Sequence, residues 1–199
     1  MLSWGYFRIA IHNICVFCGS NSGLDPAFSE KTVALGQYLA ANDYQLVYGG
    51  GDHGLMGKVA KATMDAGGRV IGIVPHFLVA RELAFKDVTT FIETRTMTER
   101  KEKMLHLADA FIVLPGGFGT FEEFLQMLSW SQMDIHQKPI ALYNIDGFYD
   151  DLVAMLQKTA DLGFAPEANL DLFINGHDLD EIFAGFHDFK HVLPPKYTN

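Results

Sequence analysis

Residues 110–123 read Ala110-Phe111-Ile112-Val113-Leu114-Pro115-Gly116-Gly117-Phe118-Gly119-Thr120-Phe121-Glu122-Glu123, and they pass from a short apolar run through a glycine-rich turn into a new periodicity. The run Ala110 to Leu114 is brief, apolar and β-branched, as expected of a strand buried on both faces of a parallel sheet. Beyond the turn, Phe124, Leu125 and Leu128 recur at helical spacing. The glycines therefore stand at a strand's carboxyl end, ahead of a helix. Glycine there lets bare backbone N–H groups approach a ligand, and the helix aims its positive end at the same point. The stretch reads as an anion cradle suited to a phosphate, with carboxylates beside it. Thr120 and Glu123 have N-cap and N3 spacing, so a capping box accounts for Glu123. Glu122 is open between a macrodipole preference and a functional role.

Outward from this turn, strand-like and helix-like segments alternate. A strand Ile14 to Cys18 leads through Gly19-Ser20-Asn21-Ser22-Gly23 to a helix opened by Pro26 and running to about Ala41. Gln45 to Tyr48 is a second strand, Gly49 to Gly54 a second turn, Leu55 to about Ala66 a helix ended by Gly67-Gly68, and Val70 to Val74 a third strand. After a looser stretch from Pro75 to Lys86 come strand Val88 to Ile92, helix Thr98 to Ala108, the strand and helix of the opening stretch, strand Pro139 to Tyr143, and helices Tyr149 to Asp161 and Leu179 to His187. Such alternation predicts an α/β fold: a Rossmann-like, doubly wound parallel sheet in a three-layer α/β/α arrangement. One domain over 1–199 is expected, with 1–12 an N-terminal extension and 190–199 a C-terminal tail.

The 199 residues are 49% hydrophobic and 20% charged, enough for one full core. A net charge of -9 and a pI near 5.2 argue against a surface devoted to nucleic acid or anionic membrane, since Lys and Arg hold both. Arg8, His12 and Asn13 interrupt the apolar start, and no apolar stretch is long enough to cross a bilayer, so the expected compartment is the cytoplasm. Cys15 and Cys18 form C-x-x-C within the first strand, where residues three apart face opposite sides, which disfavours a redox pair or half a zinc site. His187 and His191 fit a solvated last turn better than a metal site, and no metal is expected.

In doubly wound folds, ligands sit outside the carboxyl ends of the strands. Three turns fall there: Gly19 to Gly23, Gly49 to Gly54 and Pro115 to Thr120. Each alone is explicable as a tight turn; together they mark Gly19, Ser20, Gly50, Gly51, Gly54, Gly116, Gly117, Gly119 and Thr120 as candidate ligand contacts. Gly49, Gly51 and Gly54 satisfy G-x-G-x-x-G, yet the next strand ends Ile71-Gly72-Ile73-Val74-Pro75-His76 without the acid that binds a dinucleotide's ribose. A Walker A loop also fails, with Val59 in place of the magnesium-holding hydroxyl. Thr98 reads as an N-cap, and Glu99 with Lys103 and Glu102 with His106 as i,i+4 pairs. Arg100 and Lys101 stand in a first turn, where cations oppose the macrodipole, and this favours an anion nearby over a solvated face.

Cys18-Gly19-Ser20, Val47-Tyr48-Gly49-Gly50-Gly51 with Gly54-Leu55-Met56-Gly57, Met97-Thr98-Glu99-Arg100-Lys101 and Pro115 to Glu122 together resemble the LOG (LONELY GUY) family, whose members were long labelled lysine decarboxylases. The resemblance runs in order from about Ile14 to His187. It implies a phosphoribohydrolase that cleaves the N-glycosidic bond of a purine (cytokinin) nucleoside 5′-monophosphate to free base and ribose 5-phosphate, acting as a homodimer without metal or organic cofactor. It implies Arg100 and Glu122 as the catalytic pair, with Arg100 holding Glu122 ionised or meeting substrate directly. It places the phosphate on Gly116, Gly117, Gly119 and Thr120, and puts Met97, Lys101, Glu82 and Ser129 in the substrate site. Thr98 stands where the family has His, and Ala80 where it has the proline before Arg81-Glu82. The other reading is a carrier that holds a nucleotide-like ligand or a molybdenum cofactor without cleaving it. A decarboxylase is disfavoured, because no Lys sits in a context suited to pyridoxal phosphate.

Overall fold

A computed structural model describes residues 11–80 and 84–193. Its centre is a seven-stranded, all-parallel sheet of β1 (Asn13–Phe17), β2 (Gln45–Tyr48), β3 (Val70–Pro75), β4 (Thr90–Thr94), β5 (Ala110–Val113), β6 (Ile140–Tyr143) and β7 (Phe173–Gly176). The strand order is β4-β3-β2-β1-β5-β6-β7, so the chain winds one way from β1 to β4, then crosses back over β1 to build the other half. The reversal lies between β1 and β5, where Ile14 pairs with Ala110 and Phe17 with Val113.

The helices are α1 (Pro26–Ala41), α2 (Gly54–Asp65), the single turn α3 (His76–Val79), α4 (Met97–Leu107), α5 (Phe118–Gln132), α6 (Asp150–Asp161) and α7 (Leu179–Asp188). Strand alternation sorts the core into two layers. Ile14, Val16 and Cys18 pack with Leu35 and Leu39 of α1 and Val59 of α2, while Cys15 and Phe17 pack with Met104 of α4 and with Phe124 and Met127 of α5. The two cysteines thus face opposite layers as buried free thiols, and burial pushes both well above the ordinary thiol range. The doubly wound α/β/α architecture is the one expected from the sequence.

Several boundaries differ from expectation for physical reasons. β7, a segment to which the sequence pattern assigns no element, is four residues with a polar third position and forms by adding to β6 at the sheet edge. The fourth strand begins at Thr90 rather than Val88, whose side chain turns into the core ahead of it. α4 starts one residue before Thr98, because Thr96 is the N-cap, its hydroxyl accepting from Glu99 N–H at 3.1 Å. Glu99 then accepts from Arg95 N–H, and His106 meets the Glu102 carbonyl. The expected Glu99–Lys103 and Glu102–His106 ion pairs are replaced by these backbone bonds. His191 is not solvated: its Nε2 meets the Ser131 carbonyl at 3.0 Å. Among the described residues, no helix is long and apolar enough to cross a membrane.

Candidate functional site

The three small-residue turns converge at the strand-order reversal and are tied together by backbone. Gly19 N–H donates to the Pro115 carbonyl at 3.1 Å, and the Gly19 carbonyl accepts from Leu55 N–H at 3.0 Å and Met56 N–H at 3.4 Å. This separates two helix starts that look alike in sequence. The Leu55 and Met56 amides in the first turn of α2 are spent on Gly19, which leaves this helix start fewer free donors for an anion. Gly50 and Gly54, candidate ligand contacts, serve as spacers: both have positive φ, and a Cβ would meet Val74 at Gly50 and the Ser20 backbone at Gly54.

α5 is built the other way. Its N-cap is Gly117, which carries no side chain to cap the helix, and the Gly117 carbonyl takes Thr120 N–H at 3.0 Å and Phe121 N–H at 3.1 Å. The Phe118 and Gly119 amides precede these and have no turn below them to bond. Gly117 and Gly119 are exposed, and a Cβ at either would meet nothing within 4 Å. The result is an open cradle of N–H groups at the positive end of a 15-residue helix. Thr120 is therefore not an N-cap. It sits one turn in, buried, with Oγ1 turned to Gly116, where a Cβ would lie 2.1 Å away.

Starting the helix at Phe118 also resets the two glutamates. Glu123 falls on the buried stripe with Thr120, Phe124, Met127 and Ser131, and no capping box forms. Arg100 Nη1 donates to Glu123 Oε1 at 3.2 Å, with the two side chains only 8% and 11% exposed. Arg100 Nε donates to the Ile73 carbonyl at 3.1 Å, and Met97 Sδ lies 3.9 Å from Nη1. Gly49 makes room for the guanidinium, since a Cβ there would stand 1.9 Å from Nη2. Lys101 Nζ donates to Glu122 Oε1 at 2.5 Å, and Glu122 is 52% exposed. The expected Arg100–Glu122 pair is thus not the one built: Arg100 holds Glu123, and Lys101 holds Glu122. One residue is 100° of helix, enough to send one carboxylate inward and its neighbour to the rim.

Burial pushes the Glu123 carboxyl up, and Glu122 adds to this, while Arg100 and Lys101 pull it down. The sequence carried a signal for Glu123. A carboxylate one turn before Met127 and beside Phe124 sits on an apolar stripe, where a charge needs a partner. Ser129 is exposed, about 18 Å along α5 from Gly117 at 1.5 Å per residue, and does not join this cradle within one chain. Glu82 and Arg81 lie outside the described residues.

A sequence family described as possible lysine decarboxylase matches residues 56–186. The chain is 42% identical over 193 residues to the probable cytokinin riboside 5′-monophosphate phosphoribohydrolase LOGL9 of Oryza sativa subsp. japonica, covering 97% of this chain and 84% of that protein. It is 47% identical over 176 residues to the cytokinin riboside 5′-monophosphate phosphoribohydrolase LOG2 of Arabidopsis thaliana, covering 88% and 83%. This chain belongs to the LOG family. Among solved structures, the LOG-family chain resembles the molybdenum cofactor binding protein of Rippkaea orientalis, with a TM-score of 0.66 at 22% identity over 88% of this chain and 95% of that one. At that identity the likeness carries the fold alone.

Proposed function

We propose that this LOG-family protein hydrolyses the N-glycosidic bond of purine nucleoside 5′-monophosphates, releasing the base and ribose 5-phosphate. The observation that carries the reading is the buried Arg100–Glu123 pair standing beside an uncapped helix start. The phosphate rests on the Phe118 and Gly119 amides, with Gly116, Gly117 and Thr120 shaping the cradle. Loss of the base leaves an oxocarbenium-like ribosyl centre, which a carboxylate stabilises. Glu123 takes a proton from the attacking water, hydroxide adds to C1′, and the C1′–N9 electron pair leaves with the purine, which regains the proton. Arg100 aims Glu123 and keeps it ionised. Lys101 and Glu122 form the rim, Met97 backs the guanidinium, and Ser20 lies at the mouth. No step calls for a metal or organic cofactor.

The outer face of α5 exposes Leu125 and Met133 beside Ser129, with Phe118 92% exposed at its start. Pairing two copies across this face gives the homodimer and lets Ser129 of one copy approach the cradle of the other; Leu125→Glu should then yield a monomer by light scattering. The free thiols Cys15 and Cys18 suit the cytoplasm. The decisive experiment incubates the protein with AMP and an N6-substituted AMP and follows free base. Heat protection by AMP without base release would support the carrier reading instead.

A further inference from the structure

A cradle of backbone amides binds an anion only when the carbonyls of the same peptides are turned away from it. In the loop after β5, Gly19 N–H draws down the Pro115 carbonyl, and Thr120 and Phe121 N–H draw down that of Gly117. The Leu114 carbonyl, at the entry to the loop, is taken by a side chain: the Tyr149 hydroxyl donates to it at 2.6 Å.

Tyr149 comes from outside the cradle and is rigidly seated. It is fully buried, edge-on to Phe148 at 4.9 Å and to Phe121 at 6.2 Å between ring centres. Its backbone N–H donates to Asn144 Oδ1 at 2.7 Å; Asn144 Nδ2 donates to Asp150 Oδ1 at 2.7 Å, and Asn144 N–H to the Gly176 carbonyl at 2.8 Å. The intervening turn is made by left-handed Asp146 and Gly147. A phenol buried this way stays protonated and is a donor at every working pH.

We infer that Tyr149 is a positioning residue for the phosphate cradle: its hydroxyl, held from the turn between β6 and α6, orients the Leu114–Pro115 peptide and through it the amides of residues 116–119. The inference rests on the phosphate reading proposed above. It extends the site to a residue that touches neither the sugar nor the base and lies 26 positions beyond Glu123 in the chain.

The test titrates inorganic phosphate and ribose 5-phosphate calorimetrically into the full chain, into Tyr149→Phe and into Ile182→Val, which trims a buried methyl in the opposite layer. The unsubstituted protein and Ile182→Val should bind alike, and Tyr149→Phe about tenfold more weakly, as expected when a positioning contact is lost. With AMP as substrate, Tyr149→Phe should raise KM while kcat stays within about threefold, a split that general loosening would not give. Asn144→Ser, which keeps the phenol and loosens its seat, should weaken phosphate in the same direction if Tyr149→Phe does not fold. A Tyr149→Phe affinity within about twofold of the unsubstituted value overturns the inference and leaves the cradle standing. Absence of phosphate binding by the unsubstituted protein overturns the cradle reading itself.

Discussion

Arg100 Nη1 lies 3.2 Å from Glu123 Oε1 beneath the start of α5, with little of either side chain reaching solvent. Such a pair is a poor device for stability: desolvation offsets most of the attraction, and removing one partner strands the other at a cost of about 3–5 kcal/mol. Its place at the carboxyl ends of the strands, beside amides that no side chain caps, makes chemistry the better account. The neighbouring Lys101–Glu122 pair has one partner half exposed, and solvent screening limits it to at most about 1 kcal/mol.

That contrast ranks the two carboxylates. Glu123→Gln should lower kcat for AMP by about 10²–10⁴-fold, the range of a lost general base. Glu122→Gln should lose about tenfold or less, as expected of a screened rim pair. Base release at saturating AMP measures both, and a larger loss for Glu122→Gln would reverse the roles.

The cradle glycines should separate stability from binding. Gly116→Ala drives a Cβ onto Thr120 Oγ1 and should lower Tm. Gly117→Ala meets nothing in the protein and should leave Tm unchanged while raising KM, because the methyl enters the space the anion needs. Paired melting curves and AMP kinetics check the contrast.

The Glu123 carboxyl, pushed above 4.5 chiefly by burial, must be ionised to accept a proton. The rate should therefore fall as pH drops through its raised pKa. Arg100 pulls that pKa down, so Arg100→Ala should move the acid limb of its residual activity to higher pH. A limb that stays in place, or moves to lower pH, would remove Glu123 from the role of base.

His136 governs a different pH dependence. Burial depresses its pKa below 6.5, with Lys138 and His191 adding to the effect against the Met127 carbonyl contact. The folded state then binds fewer protons than the unfolded one, so this contribution is present above pH 6.5 and is lost as pH falls toward the depressed value. Tm measured from pH 7.5 to 5 should fall less steeply for His136→Gln than for the unsubstituted chain.

Much of the architecture was legible because it is written in local pattern. Runs such as Ile14-Cys15-Val16-Phe17 and Ala110-Phe111-Ile112-Val113 can be satisfied only by burial on both faces, and β7 escaped notice because its partner strand, not its composition, makes it a strand. The glycine turns were legible as turns, yet equally so at Gly49 to Gly54 and at Pro115 to Thr120. Only the placement of the Gly19 carbonyl, which takes the Leu55 and Met56 amides, distinguishes the first from the second.

The linear chain established a parallel α/β sheet, a glycine-rich anion turn, and the meeting of a basic and an acidic helix start in one family pattern. The sheet and the turn follow from periodicity and spacing, which act over a few residues, whereas the meeting of the two helix starts is what the family resemblance implies. Which carboxylate faces Arg100 depended on where α5 begins, and that goes with the packing of the Pro115–Gly116 turn against Gly19. Adjacent residues on a helix point 100° apart, so with the N-cap at Gly117 rather than Thr120, Glu123 falls on the buried stripe against Arg100 and Glu122 on the rim against Lys101. Tyr149 makes the same point: its hydroxyl acquired a partner at Leu114 only when β6 lay down beside β5.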